Sequence, residues 1–169
     1  MTTGEKTKKR VAVLYDWLDN ILFALIFVIT LLTFVFKTYT VNGSSMEPTY
    51  HTGDFVIAYD LFYTPKQGDA VVVDGSNNLG KPIIKRVVAT EGQTVIIAED
   101  GTITVDGIVF MYDGINPNNV RGNVTYPFTV PQGHVFLMGD NRSSSHDSRY
   151  DTVGCVDERS IVGKAIYTL

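Results

Sequence analysis

Residues 17–36 are apolar almost throughout, broken only by Asp19 and Asn20 near the start and by Thr30 and Thr33 further on. A helix that crosses a bilayer needs about 20 such residues, and this run just reaches that length. A helix apolar on every side would otherwise need a larger protein to surround it. Lys6, Lys8, Lys9 and Arg10 precede the run, with Glu5 the only acid among the first ten residues. A basic stretch before an apolar core is also how a cleaved signal peptide begins. Here Phe36-Lys37-Thr38-Tyr39-Thr40 offers no site of the small-x-small type, and the run exceeds a usual signal core. The expectation is an uncleaved anchor over residues 17–37. The basic residues 1–16 would stay in the cytoplasm and residues 38–169 would lie outside the cell membrane, a single-pass arrangement.

Beyond the anchor the pattern changes to short β-branched and aromatic runs between turn signals. Residues 55–59, 70–73, 83–89, 135–138 and 161–167 read as strands, while residues 94–98 and 102–105 flank Glu99-Asp100-Gly101 as a hairpin. The segment 106–131 is polar, includes Asn116-Pro117-Asn118-Asn119, and reads as an excursion on the rim. With almost no helical periodicity after residue 38, the fold class expected is mainly β. It would be an antiparallel sheet or barrel-like catalytic domain behind a single N-terminal transmembrane helix.

Charge and composition exclude some functions. A net charge of −4 supplies no basic face for nucleic acid. Cys155 is the only cysteine, so the fold depends on no internal disulfide, and His51, His134 and His146 lack the Cys or Glu spacing of a zinc site. No metal or organic cofactor is expected.

Three stretches carry candidate chemistry. In Asn42-Gly43-Ser44-Ser45-Met46-Glu47-Pro48-Thr49, glycine frees the backbone and proline stiffens it, which suits a presented nucleophile at Ser45 and equally an ordinary serine turn. In Pro82-Ile83-Ile84-Lys85-Arg86-Val87-Val88, strand alternation places Lys85 on one face between Ile83 and Val87. Such a lysine either snorkels to water from a strand edge or is a buried amine held neutral, able to take a proton from a serine. Moving a lysine from ~10.4 toward ~7 costs about 4 to 5 kcal/mol, which apolar neighbours can impose. Arg86 cannot serve as a base. The third stretch, residues 139–149, holds Asp140, Arg142, four serines, His146, Asp147 and Arg149 directly after an apolar strand. It suits a polar loop of local ion pairs, and also a loop that braces a site.

Together, Ser45-Met46-Glu47-Pro48-Thr49, Gly53-Asp54, Lys85-Arg86, Gly139-Asp140-Asn141-Arg142 and Ser145-His146-Asp147-Ser148-Arg149 resemble the boxes of bacterial type I signal peptidases. Their order and spacing are similar to the shorter Gram-positive-like form with one anchor. The resemblance runs from the anchor to Leu169. It implies a membrane-anchored serine endopeptidase that removes signal peptides from exported preproteins through a Ser/Lys dyad and an acyl-enzyme. On that resemblance Ser45 is the nucleophile, and Lys85 is the general base and later the acid. Ser145 orients the lysine, and Asp140, Arg142, Asp147 and Arg149 brace the loop. The Ser45 N–H is one oxyanion donor. Gly43 occupies the position where some members carry a serine hydroxyl as the second donor, and Ser143-Ser144 stand where many members carry Asp-Asn.

The resemblance further implies a substrate extended against a strand edge, with small residues at the first and third positions before the cut. Met46 and Ile84 match positions that wall those pockets. Exposed apolar residues around Phe55 and Leu61-Phe62-Tyr63 are expected to dip into membrane phospholipid. Three other readings share parts of the pattern. One is a Ser-His-Asp hydrolase using His51 or His146, one is a self-cleaving repressor-type Ser/Lys peptidase, and one is an anchored β-domain without catalysis.

Overall fold

The computed structural model describes residues 3–113, 115 and 120–168; the Asn116-Pro117-Asn118-Asn119 turn signal lies outside the described residues. The apolar run belongs to a 33-residue helix, α1 (Thr3–Val35). It starts well before residue 17, because residues 10–16 carry side chains that a helix accepts. Its part from Arg10 to Val35 is 26 residues, long and apolar enough to cross a membrane. At 1.5 Å per residue that part is about 39 Å long, against about 30 Å of hydrocarbon. The Asn20 amide is satisfied within the helix, donating to the Asp16 carbonyl at 2.8 Å. The helix ends at Val35 rather than at residue 37. The next five residues, with Tyr39 between Thr38 and Thr40, favour extended backbone and form strand β1 (Phe36–Thr40).

The remaining compact unit, Lys37–Leu169, is built from two sheets. Its strands continue as β2 (Phe55–Tyr59), β3 (Ala70–Val73), β4 (Ile83–Ala89), β5 (Thr94–Ile97) and β6 (Ile103–Val105). Then come β7 (Ile108–Val109), β8 (Phe128–Thr129), β9 (His134–Met138), β10 (Val156–Asp157) and β11 (Ile161–Thr168). The larger sheet has the order β1-β2-β11-β3-β4-β9-β10, and the smaller the order β7-β6-β5-β8. The expected 94–105 hairpin is β5 against β6, with Ile96 opposite Thr104. The expected rim excursion supplies both edge strands of the smaller sheet, β7 and β8, so part of it is structural.

Side-chain alternation sorts the core. Val135 and Leu137 of β9 pack with Val71, Val73, Val87 and Val156, whereas Phe136 and Met138 pack with Val88, Val95 and Ile97 of the second cluster. A third cluster, holding Val41, Met46, Tyr50, Val56, Ala70 and Ala165, underlies the serine-bearing loop. Strand β4 is central: Lys85 lies opposite Val71 of β3, and Arg86 lies opposite both Ala70 of β3 and Met138 of β9. That register decides where the site forms. Met138 is the last residue of β9, so the loop starting at Gly139 must leave the sheet beside Lys85 and Arg86.

Candidate active site

The loop between β1 and β2 carries Ser45. Its base is closed by Val41 N–H to the Asp54 carbonyl at 2.8 Å and Gly53 N–H to the Val41 carbonyl at 3.0 Å. Within it, Tyr50 N–H reaches the Met46 carbonyl at 3.0 Å, giving one tight turn. Met46 is fully buried and serves as the loop's peg into the third core cluster. Gly43 has φ +107°, a backbone that other residues rarely adopt, and it allows the chain to turn into Ser45.

Lys85 reaches Ser45 across the floor of the loop. Its Nζ lies 2.7 Å from Ser45 Oγ and 3.0 Å from the Ile84 carbonyl. The side chain is 4% exposed. Burial pulls the Lys85 pKa down to about 8, and the positive charge of Lys81 adds to the effect, while Asp147 and Asp140 oppose it. About a tenth of the amine is therefore neutral near pH 7, and it is adjacent to a hydroxyl whose proton it can accept. The strand-edge alternative for Lys85 is thereby corrected: the amine is inside the protein.

The loop after β9 closes over this pair through backbone and charge. Asn141 N–H donates to the Ser45 carbonyl at 3.0 Å. Arg86 donates from Nε to Asp140 Oδ1 at 2.8 Å, and its Nη2 pairs with Oδ2, while Thr49 Oγ1 donates to Oδ2 at 2.6 Å. Asp140 thus ties strand β4, the Ser45 loop and its own loop together. Asp147 accepts from Arg149 Nε at 2.8 Å, from Arg149 Nη2 at 2.9 Å and from Gly139 N–H at 2.9 Å. Both ion pairs are shut away from water. Gly139 has no room for a side chain, since a Cβ there would overlap Ser145 Oγ and the Ser45 carbonyl.

Several expected positions stand differently from the sequence reading. The Ser145 hydroxyl is buried and has no hydrogen-bond partner among the described residues, and the lysine's bonds go to Ser45 and Ile84 instead. The Gly43 N–H, expected near the oxyanion, donates to Thr52 Oγ1 at 3.1 Å and is occupied. Arg142 is buried, its Nε has no partner among the described residues, and burial together with Arg149 lowers its pKa. Ile84 lines the cleft directly, whereas Met46 supports it from behind. Arg86 and Thr49 were quoted in the motifs without a role, and both join the Asp140 cluster. Tyr112 stands in no motif, yet the Arg86 guanidinium carbon lies 3.4 Å from the centre of its ring. An aromatic residue in a polar excursion gives no local signal of that contact.

Neither histidine reading finds support in the contacts. His146 Nε2 lies 2.9 Å from Thr152 Oγ1 and its ring stacks on Tyr150, while His51 is exposed beside Asp54. Burial pushes the Cys155 thiol up to about 12, which makes it inert as a nucleophile. Ser45 and Lys85 open onto a cleft of about 850 Å³ whose walls include Tyr39, Val56, Val72 and Ile83.

The family described as "Signal peptidase, peptidase S26" matches residues 14–169. The chain belongs to that family. Signal peptidase I of Bacillus licheniformis is 30% identical over 95% of this chain and 91% of its own length. Signal peptidase I P of Bacillus subtilis subsp. natto is 33% identical over 94% of this chain and 90% of its own, and signal peptidase I T of Bacillus subtilis (strain 168) is 31% identical over 96% and 89%. The chain is a serine endopeptidase of the signal peptidase I type. This peptidase carries one N-terminal helix able to span a bilayer, ahead of a mainly antiparallel β unit.

Proposed function

We propose that this signal peptidase cuts by a Ser45/Lys85 dyad. The observation that carries the reading is the 2.7 Å contact between Ser45 Oγ and an Nζ whose pKa burial has lowered to about 8. Neutral Lys85 removes the Ser45 proton as Oγ bonds to the carbonyl carbon before the scissile bond. The carbonyl electron pair moves to oxygen, where the Ser45 N–H stabilises it. Collapse expels the amine of the mature protein, which takes the proton from Lys85, and leaves an acyl-enzyme. Water, deprotonated by neutral Lys85, then attacks the ester; Lys85 returns that proton to Ser45 Oγ as the C–O bond breaks, and the signal peptide leaves as a carboxylic acid that ionises in water. Asp140 and Asp147, with their arginine partners, hold the loop in place rather than exchange protons. The substrate class is preproteins with small residues at the first and third positions before the cut. The branched apolar side chains Ile84, Val56 and Val72 on the cleft wall support that preference.

The helix α1 anchors the enzyme in the cell membrane as a single span, with its basic start in the cytoplasm and residues 38–169 outside. A membrane-facing surface has its own support. Phe62 is 95% exposed at φ +54°, so an uncommon backbone presents an apolar ring to solvent next to exposed Leu61, and Phe55 at the start of β2 is exposed as well. Phe62→Ser in a protein lacking α1 should reduce sedimentation with phospholipid vesicles, and unchanged sedimentation would remove lipid contact at this turn.

The deciding experiment is cleavage of a preprotein with an Ala-x-Ala site, in detergent and phospholipid. Ser45→Ala and Lys85→Ala are expected to abolish it while remaining folded, and His146→Ala to retain it. Loss in His146→Ala with retention in Lys85→Ala would transfer the base to histidine and overturn the dyad.

A further inference from the structure

Acyl transfer needs donors waiting where the oxyanion forms, and a single N–H is rarely the whole provision. The Gly43 N–H is committed to Thr52, the Asn141 N–H to the Ser45 carbonyl, and the Ser144 N–H to the Asn141 carbonyl at 3.0 Å. An uncommitted pair of hydroxyls lies on the cleft wall next to Ser45. Ser44 Oγ and Ser144 Oγ lie 3.2 Å apart, and both residues line the same cleft as Ser45 and Lys85. Two hydroxyls carry two hydrogens, but one O···O contact uses only one of them. Neither oxygen has another hydrogen-bond partner among the described residues, so the pair keeps one hydrogen to donate into the cleft. Ser44 immediately precedes the nucleophile, which keeps its hydroxyl within a residue's reach of the Ser45 N–H.

We infer that the Ser44 hydroxyl is the second oxyanion donor of this enzyme, with Ser144 donating to Ser44 Oγ and so turning the Ser44 hydrogen toward the substrate. The inference rests on Ser45 being the nucleophile. As Ser45 Oγ bonds to the carbonyl carbon and its proton passes to Lys85, the carbonyl oxygen gains a full negative charge. The Ser45 N–H and the Ser44 O–H then donate to it together. The hydroxyl keeps its proton throughout and gives it up to no group, so the proton balance stays with Lys85. Ser144 is a positioning residue, separated from Ser44 by 100 positions in sequence and brought to it by the loop after β9.

The test compares Ser44→Ala, Ser44→Thr and Ser144→Ala on the full-length enzyme with an Ala-x-Ala peptide, measuring kcat and KM separately. Ser44→Ala should lower kcat by about 10²-fold with KM little changed, the loss typical of one oxyanion donor. Ser44→Thr keeps the hydroxyl and should recover most of the rate. Ser144→Ala should cost about tenfold, since the donor remains but is no longer aimed. A peptide aldehyde that forms a tetrahedral adduct should lose affinity for Ser44→Ala by a factor similar to the kcat loss, while the product peptide binds as before. A wild-type kcat in Ser44→Ala, a loss confined to KM, or a Ser44→Thr as impaired as alanine would overturn the inference and leave the dyad standing. Cleavage that survives Ser45→Ala would overturn both.

Discussion

Arg86 grips Asp140 from the strand position immediately after Lys85, so the arginine that anchors the loop and the amine beside the nucleophile share one backbone. The two functions cannot drift apart without breaking β4, which is hydrogen-bonded on both sides to β3 and β9. Thr49 on the same carboxylate adds the nucleophile loop to the clamp.

Asp140→Asn would leave the Arg86 guanidinium buried with half its compensation. Removing one partner of a buried pair typically costs about 3–5 kcal/mol, and this retained amide should fall at the lower end. Chemical denaturation should show that loss together with reduced cleavage. Asp140→Asn with wild-type stability would mean that Thr49 and the Gly68 carbonyl, which accepts from Arg86 Nη1 at 2.8 Å, suffice for the guanidinium.

The rate should follow the neutral fraction of Lys85. With its pKa near 8, kcat/KM should rise about tenfold per pH unit below that value and level off above it. The stability effect has the opposite association with function. Because the folded pKa lies below the unfolded one, the unfolded chain binds more protons between pH 8 and about 10.4, so this group's destabilisation is full below pH 8 and fades as pH rises to about 10.4. Lys85→Met should therefore be inactive yet more stable at pH 7 by about 1–3 kcal/mol, with the gain vanishing near pH 10.5. Equal or lower stability at pH 7 would show that the amine is not held against its charge.

Lys81 lines the cleft and helps to keep Lys85 neutral by like-charge repulsion. Lys81→Met should raise the Lys85 pKa, moving the rising limb to higher pH. The expected loss is about two- to threefold at pH 7 and none at pH 10, and it should shrink at high salt. A loss equal at both pH values would point instead to a substrate contact.

Gly139→Ala places a methyl group against Ser145 Oγ and the Ser45 carbonyl. The loop must retreat, stretching both the Asn141 N–H to Ser45 bond and the Gly139 N–H to Asp147 bond. Cleavage should fall at least 10²-fold and stability by about 1–3 kcal/mol. An active, stable Gly139→Ala would mean that the loop does not position the nucleophile.

The principal strands were legible because each is a β-branched or apolar run between turn residues, and the pairing of Ser45 with Lys85 was legible because both stand in an ordered set of motifs. What escaped depended on contacts between distant segments. Alternation put Lys85 and Arg86 on opposite faces, but β4 is covered on both, so neither charge reaches water. β1 was absorbed into the anchor because Phe36 continues the apolar run without a break. β7, β8 and β10 are two residues long, too short for any period to show. Tyr112 over Arg86 and Ser44 beside Ser144 are partners only after the sheet has formed.

Strand β11, the last strand in chain order, lies between β2 and β3 in the sheet. The loop bearing Ser45 hangs from one side of it and the strand bearing Lys85 from the other. Within the sheet, β11 is the strand through which the two sides are hydrogen-bonded to each other, while the Asp140 cluster joins them above it. The spacing between Ser45 and Lys85 therefore depends on how β11 is registered against both neighbours, and a slip of that one strand would part the two side chains without touching either.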